Sequence, residues 1–254
     1  MKRSKLFITI TVVVFYIIAE YFMPTFFVPK QDWLRILINK AFPLFSILLA
    51  LLIIHGNKRN LLEAWGIRHG FARGLRLAFL MTLPMLIGYG IANNFNINIS
   101  FNQIFYGVLI APIFEELMYR GFLFGQLYRF GGWGFIPAGL LNALIFGSLH
   151  LYQAQDFGSA VAIFTVTALG GMWFAWLYVE WNYNLWISIF LHLFMNVWWI
   201  IFEMGNNAAG GWYANIFRAL AIAASIIITI RMRKKQGSFN ITKNKFWINK
   251  EAGL

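Results

Sequence analysis

The chain has 254 residues, 60% of them hydrophobic and 12% charged, with a mean hydropathy of +0.64, a balance that excludes an ordinary soluble domain and identifies an integral membrane protein. The formal charge of +12 does not mark a nucleic-acid binder, because Lys and Arg collect in short stretches between apolar runs. Cysteine is absent, which rules out disulfides, thiolate metal sites and a cysteine nucleophile.

Crossing a bilayer as a helix takes roughly 20 apolar residues. Runs near that length fall at about 6–23, 36–54, 75–92, 103–128, 134–152, 158–179, 184–204 and 212–230. The reading is an all-α, polytopic integral membrane protein with about eight transmembrane helices. One membrane-embedded domain is expected over 1–235, with a mobile, basic, cytoplasmic tail over 236–254. The first run follows Met1-Lys2-Arg3-Ser4-Lys5, is long, and shows no small-residue cleavage site before Pro24, so it reads as an uncleaved span. Segment 57–74 reads equally well as an interfacial amphipathic stretch or a solvated linker.

The basic residues set the expected orientation. Lys2, Arg3 and Lys5 precede the first span; Lys58, Arg59, Arg68, Arg73 and Arg76 fill the second connection; Arg129 follows the fourth span, and Arg231, Arg233, Lys234 and Lys235 follow the last. If every run crosses, all lie on one side, which is the cytoplasm by the positive-inside rule, together with both termini. Only the first outer connection, with Lys30, Arg35 and Lys40, runs against the scheme.

The fourth span contains "FEELMYRGFLFGQLYR", where charges are expensive, on the order of 2.5 to 3.5 kcal/mol each on insertion scales. Residues four apart share a helix face, so Glu116 and Arg120 can pair, whereas Glu115 is rotated about 100 degrees away and is left without a local partner. The fifth span carries Phe146 and His150 on one face, in "FGSLH", and the seventh carries His192 and Asn196, in "HLFMN". At about 1.5 Å per residue, Glu115, His150 and His192 lie roughly 20, 24 and 12 Å from the inner ends of their spans, within reach of one another given tilt. A carboxylate, two imidazoles and a carboxamide shielded from bulk water are suited to activating a water and stabilising an oxyanion. Elsewhere, Gly170-Gly171 reads as a close helix contact and Ser148 as a small contact residue. "WLYVEWNYN" and Trp198-Trp199 read as interfacial aromatic belts, Glu180 and Glu203 as solvated span ends, and "GNNAAGGW" as a turn.

EExxxR as "EELMYR", FxxxH as "FGSLH" and HxxxN as "HLFMN", in that order in separate spans, resemble the CAAX protease and bacteriocin-processing family, the Rce1-like and Abi-like intramembrane endopeptidases. Gly121 after Arg120 fits the family's usual continuation. The likeness covers about 103–200. It implies that Glu115 activates water and His150 helps to hold it, that His192 and Asn196 stabilise the tetrahedral intermediate, and that Glu116, Arg120 and Phe146 support the site. The substrate it implies is a peptide or membrane protein in the bilayer, not nucleic acid.

Other chemistries are tested by spacing. There is no HExxH pair and no GxSxG elbow, and Asp32 and Asp156 fall at or beyond span ends. A divalent metal such as zinc on Glu115, His150 and His192 stays open, since two His and one Glu form a known catalytic set, although a metal-free glutamate mechanism is preferred. Two readings outside proteolysis remain. One is a proton-coupled transporter relaying protons through Glu115, Glu116 and His150, for which the two related halves are not visible in the sequence. The other is a non-enzymatic membrane immunity or interaction protein that keeps these motifs as packing elements.

Overall fold

Each apolar run of the sequence folds as a helix, and the polar breaks between them form the turns. The computed structural model describes residues 3–21, 32–56 and 58–253, with side chains over 3–21, 39–56 and 61–253. The helices are α1 (Lys5–Tyr21), α2 (Asp32–His55), α3 (Lys58–Trp65), α4 (Phe71–Ala92), α5 (101–129), α6 (Phe135–Ser148), α7 (Phe157–Glu180), α8 (Leu185–Ile201) and α9 (Trp212–Lys235). Among the described residues the only β pairing is an isolated bridge between Trp133 and Ile248. Loop chemistry starts the helices where the sequence turns polar. Asp156 caps α7 by accepting from Ser159 N–H at 2.8 Å, and Asn184 caps α8 by accepting from Trp186 N–H at 3.2 Å.

The eight apolar runs are therefore α1, α2 and α4 to α9, but the count of eight crossings is not established. Among the described residues, four helices are long and apolar enough to cross a membrane: Phe71–Ala92, Phe135–Gln153, Phe157–Glu180 and Trp212–Lys235. The apolar parts of α2 (Asn39–His55) and α8 are shorter. The additional helix, α3, comes from the ambiguous segment 57–74. It is an amphipathic helix, with Leu61, Ala64 and Trp65 buried and Leu62 and Glu63 exposed, which fits the interfacial reading and not the solvated linker; the Trp65 indole N–H donates to the Leu117 carbonyl at 2.9 Å.

α5 is not a regular α-helix. Residues Ile104–Ile110 and Glu116–Phe124 are π-helical, with α-helical turns before, between and after them. Such wide turns, bonded five residues apart, carry more residues per ångström of axis than an α-helix and are found frequently at functional sites. One cause is local. Pro112 has no N–H to donate, and the Gly107 carbonyl that a donor at 112 would satisfy in the π register accepts instead from Asn196 Nδ2 at 2.8 Å.

The helices alternate, so their ends gather at two poles. At the basic pole, Leu185 N–H donates to Gly66 O (2.9 Å), Arg129 Nη1 to Ala64 O (2.7 Å) and Gly134 N–H to Trp247 O (3.1 Å). At the opposite pole, Asn98 N–H donates to Ile201 O (3.2 Å), Tyr89 OH to Ala214 O (2.8 Å) and Ala208 N–H to Gln153 Oε1 (2.8 Å).

Several expectations are corrected here. The segment after Arg231 is packed rather than mobile: Asn249 Nδ2 donates to Tyr128 O at 2.8 Å, and Gly253 N–H to Arg129 O at 2.9 Å. Glu180 is fully buried rather than solvated, because the tail brings it partners. Arg233 Nε lies 3.2 Å from Oε2, while the N–H groups of Asn240 and Ile241 donate to its two oxygens at 3.0 Å each. Glu203 is exposed, as expected for a span end. Trp181 does not join an interfacial belt; it is buried, with its indole N–H on Thr229 Oγ1 at 2.9 Å. Ser148 is exposed and bonds only to its own helix, at Leu144 O, 2.8 Å. Gly171 makes the close contact expected of it, since a Cβ there would lie 3.3 Å from Ala143 Cα, whereas at Gly170 it would meet nothing within 4 Å.

The tail carries a prediction. Hydrogen bonds to a charged group contribute about 1.5 to 3 kcal/mol each. Removing 237–254 takes two of them from buried Glu180, so the truncated chain in detergent is expected to melt clearly below the full chain. An unchanged melting temperature would show that the tail does not stabilise the bundle.

Candidate active site

The two adjacent glutamates of α5 have different surroundings. Arg120 Nη1 lies 3.0 Å from Glu116 Oε1, and both side chains are 0% exposed, while Glu115 keeps 22% exposure. Burying either member of the pair alone would leave an uncompensated charge in low dielectric. The guanidinium carbon also sits 4.3 Å from the Phe146 ring centroid and 5.1 Å from that of Phe174, so two aromatic rings flank the positive charge.

His192, on α8, reaches between the glutamates. Its Nδ1 donates to Glu116 Oε1 at 2.9 Å, and its Nε2 lies 3.9 Å from Glu115 Oε2. A carboxylate held by Arg120 can only accept, which puts the proton on Nδ1 and leaves Nε2 as the ring nitrogen on the Glu115 side. The Phe174 ring packs 5.4 Å away, on the His192 imidazole.

His150 is not inside a helix as the sequence suggests. α6 ends at Ser148, and the backbone N–H of His150 turns to Gly147 O at 3.2 Å. The Phe146 carbonyl, in the last turn of α6, accepts from His150 Nδ1 at 2.7 Å. A carbonyl accepts only, so this imidazole also has its proton on Nδ1 and a free Nε2. The expected Phe146–His150 contact holds, with ring centroids 4.4 Å apart.

A cavity of about 780 Å³ is lined by Glu115, Phe146, His150, His192 and Asn196, and so gathers the candidates from α5, α6 and α8. Glu115 and His150 also line a second cavity of about 430 Å³, with Glu20, Lys40 and Tyr119 on its walls. Glu115 Oε2 is buried and has no hydrogen-bond partner within the protein. One Asn196 N–H is taken by Gly107 O, which leaves its second N–H and Oδ1 for the cavity.

The sequence reading missed Phe174 and Gly107. Phe174 sits in "GMWFAW", an aromatic run without periodic signal that reads as core, and Gly107 acts through its backbone. The fit for zinc is poor. Among the described residues no group of three or more His, Asp or Glu side chains converges closely enough to hold a metal ion, although Glu115, His150 and His192 share one cavity.

Residues 96–198 match the family model described as "Type II CAAX prenyl endopeptidase Rce1-like". Over this segment, about two fifths of its length, the chain is similar to the CAAX protease and bacteriocin-processing family. The matched segment contains Glu115, Glu116, Arg120, Phe146, His150, His192 and Asn196. The chain is also 33% identical over 96 residues to a Bacillus subtilis (strain 168) protein named "Putative membrane peptidase YdiL", an alignment covering 38% of this chain and 35% of that one. It thus spans about a third of the length of the curated relative it matches. No solved structure matches it.

Proposed function

We propose that the chain is an intramembrane endopeptidase that cleaves a membrane-associated peptide with a water activated by Glu115. The observation that carries this reading is a buried, unpartnered carboxylate oxygen in the same cavity as two imidazoles, each with its proton held on Nδ1 by a fixed acceptor. In the proposed reaction a water lies between Glu115 and His150 Nε2. Glu115 takes its proton as the oxygen attacks the peptide carbonyl carbon. The resulting oxyanion is met by the free Asn196 N–H and by His192, which enters the step already as the imidazolium, with its second proton on Nε2 facing the oxyanion while Glu116 accepts from Nδ1, and leaves it unchanged. Glu115 then gives its proton to the leaving amine, the C–N bond breaks, and the carboxylate is regenerated. Arg120, Phe146 and Phe174 act at one remove, by fixing Glu116 and the two histidines.

Comparative peptidomics of cells carrying the native chain and Glu115→Gln tests the activity. A set of peptides produced only by the native chain is expected, and identical peptidomes would refute the reading. Because three ligands do not converge, cleavage by purified protein is expected to survive a strong chelator. Loss of activity on chelation, restored by zinc, would replace the metal-free steps.

A further inference from the structure

We infer that the catalytic cavity is served from the non-cytoplasmic face, so that its substrate is a peptide already translocated across, or inserted from, that side; this rests on the peptidase reading above. The larger cavity does not reach the basic pole. Its polar wall is built from the connections at the opposite pole, Gln153, Asn206, Asn207 and Arg218 among them. These residues form a tied cap. Gln153 Oε1 accepts from Ala208 N–H at 2.8 Å, Arg218 Nη1 donates to Ala208 O at 2.8 Å, and the Arg218 guanidinium lies 4.3 Å from the Trp199 ring centroid. The smaller cavity opens at the same pole, since its walls include Glu20 near the end of α1, Lys40 in the first half of α2, and Tyr152 beyond α6. Both spaces that touch Glu115 and His150 therefore lie toward one end of the bundle.

Charge assigns that end to a side. Lys5, Arg68, Arg73, Arg76, Arg129, Arg231, Arg233, Lys234, Lys235, Lys243, Lys245 and Lys250 belong to the other pole, with Lys5 and Arg129 contacting the tail there. At the cavity pole the described charged residues include Glu20, Asp32, Arg35, Lys40, Asp156, Glu203 and Arg218, four acidic and three basic and so nearly balanced in sign. A pole that dense in Lys and Arg stays in the cytoplasm. The cavity walls then describe the substrate: Trp173, Ile222 and Ile226 offer the larger space to apolar side chains, while Glu20 and Lys40 offer the smaller one to polar or charged side chains. The peptide lies across the Glu115–His150 wall with a different chemical character on each side of the cleaved bond.

The absence of cysteine makes the test direct. Single-cysteine full-length chains N206C, G170C and K250C are expressed in cells and treated with a charged, membrane-impermeant thiol reagent before and after permeabilisation, with a denatured sample defining complete reaction. Gly170 lines the larger cavity and has open space for a side chain. N206C and G170C are expected to react in intact cells, and K250C only after permeabilisation. Reaction of K250C in intact cells, or protection of either N206C or G170C until the cells are opened, overturns the inference. Labelling does not depend on catalysis. A chain that labels as expected but yields no peptide difference in the Glu115→Gln comparison therefore sinks the peptidase reading and not the access face.

Discussion

Glu115→Gln is expected to lower peptidase activity by roughly 10²- to 10⁴-fold, the usual range for losing a positioned general base, while leaving the folded protein intact. The substitution keeps the size of the side chain and a carbonyl-type acceptor but removes basicity. Little stability depends on the charge: Glu115 Oε2 has no hydrogen-bond partner, and the nearest cationic candidate, His192 Nε2, is 3.9 Å away. The substitution therefore breaks no short ion pair and no hydrogen bond to Oε2 within the protein, so the melting temperature is expected to stay close to that of the native chain. The measurements are the melting temperature of the detergent-solubilised variant and its cleavage of a peptide identified by the comparative peptidomics. A variant that retains activity would remove Glu115 from the chemistry. One that is inactive because it melts early would make Glu115 part of the scaffold.

What the sequence revealed of this site, and what it did not, follows from the range of the interactions. The Glu116–Arg120 pair was legible because four residues along a helix return to one face, and the 3.0 Å contact realises that spacing even though the segment is π-helical. The composition made the membrane class legible, and the apolar runs made each helix legible to within a few residues. The π turns were not readable from periodicity, and at the first of them the Gly107 carbonyl is taken by Asn196, 89 positions along the chain. The second partner of Glu116 was hidden for the same reason, since His192 arrives from a helix 76 positions away. Glu180 looked like a solvated span end until the tail supplied its partners. Periodicity reports a residue's own helix; it carries no information about which helix covers it.

That second partner changes what is expected of Glu116. Glu116→Gln leaves Arg120 fully buried without its counter-charge, and stranding one member of a buried pair costs about 3 to 5 kcal/mol. The variant should therefore melt well below the native chain. Combining it with Arg120→Met removes both charges, and a long apolar side chain between Phe146 and Phe174 should restore part of the lost stability. A pure scaffold pair would regain activity along with stability in that double variant. Here it should not, because Glu116 Oε1 also accepts from His192 Nδ1 at 2.9 Å. The amide oxygen of glutamine can keep that bond, but it brings no charge to stabilise a protonated imidazole at the oxyanion. Activity of the double variant is therefore expected to stay about 10²-fold down or more, with the loss in kcat rather than KM if His192 acts on the transition state. No substitution at Arg120 should rescue Glu115→Gln, since that defect is one of basicity. A double variant that recovers stability and activity together would confine Glu116 to packing. A Glu116→Gln chain that is stable yet inactive, beside a Glu115→Gln chain that melts early, would mean that the two glutamates exchange roles.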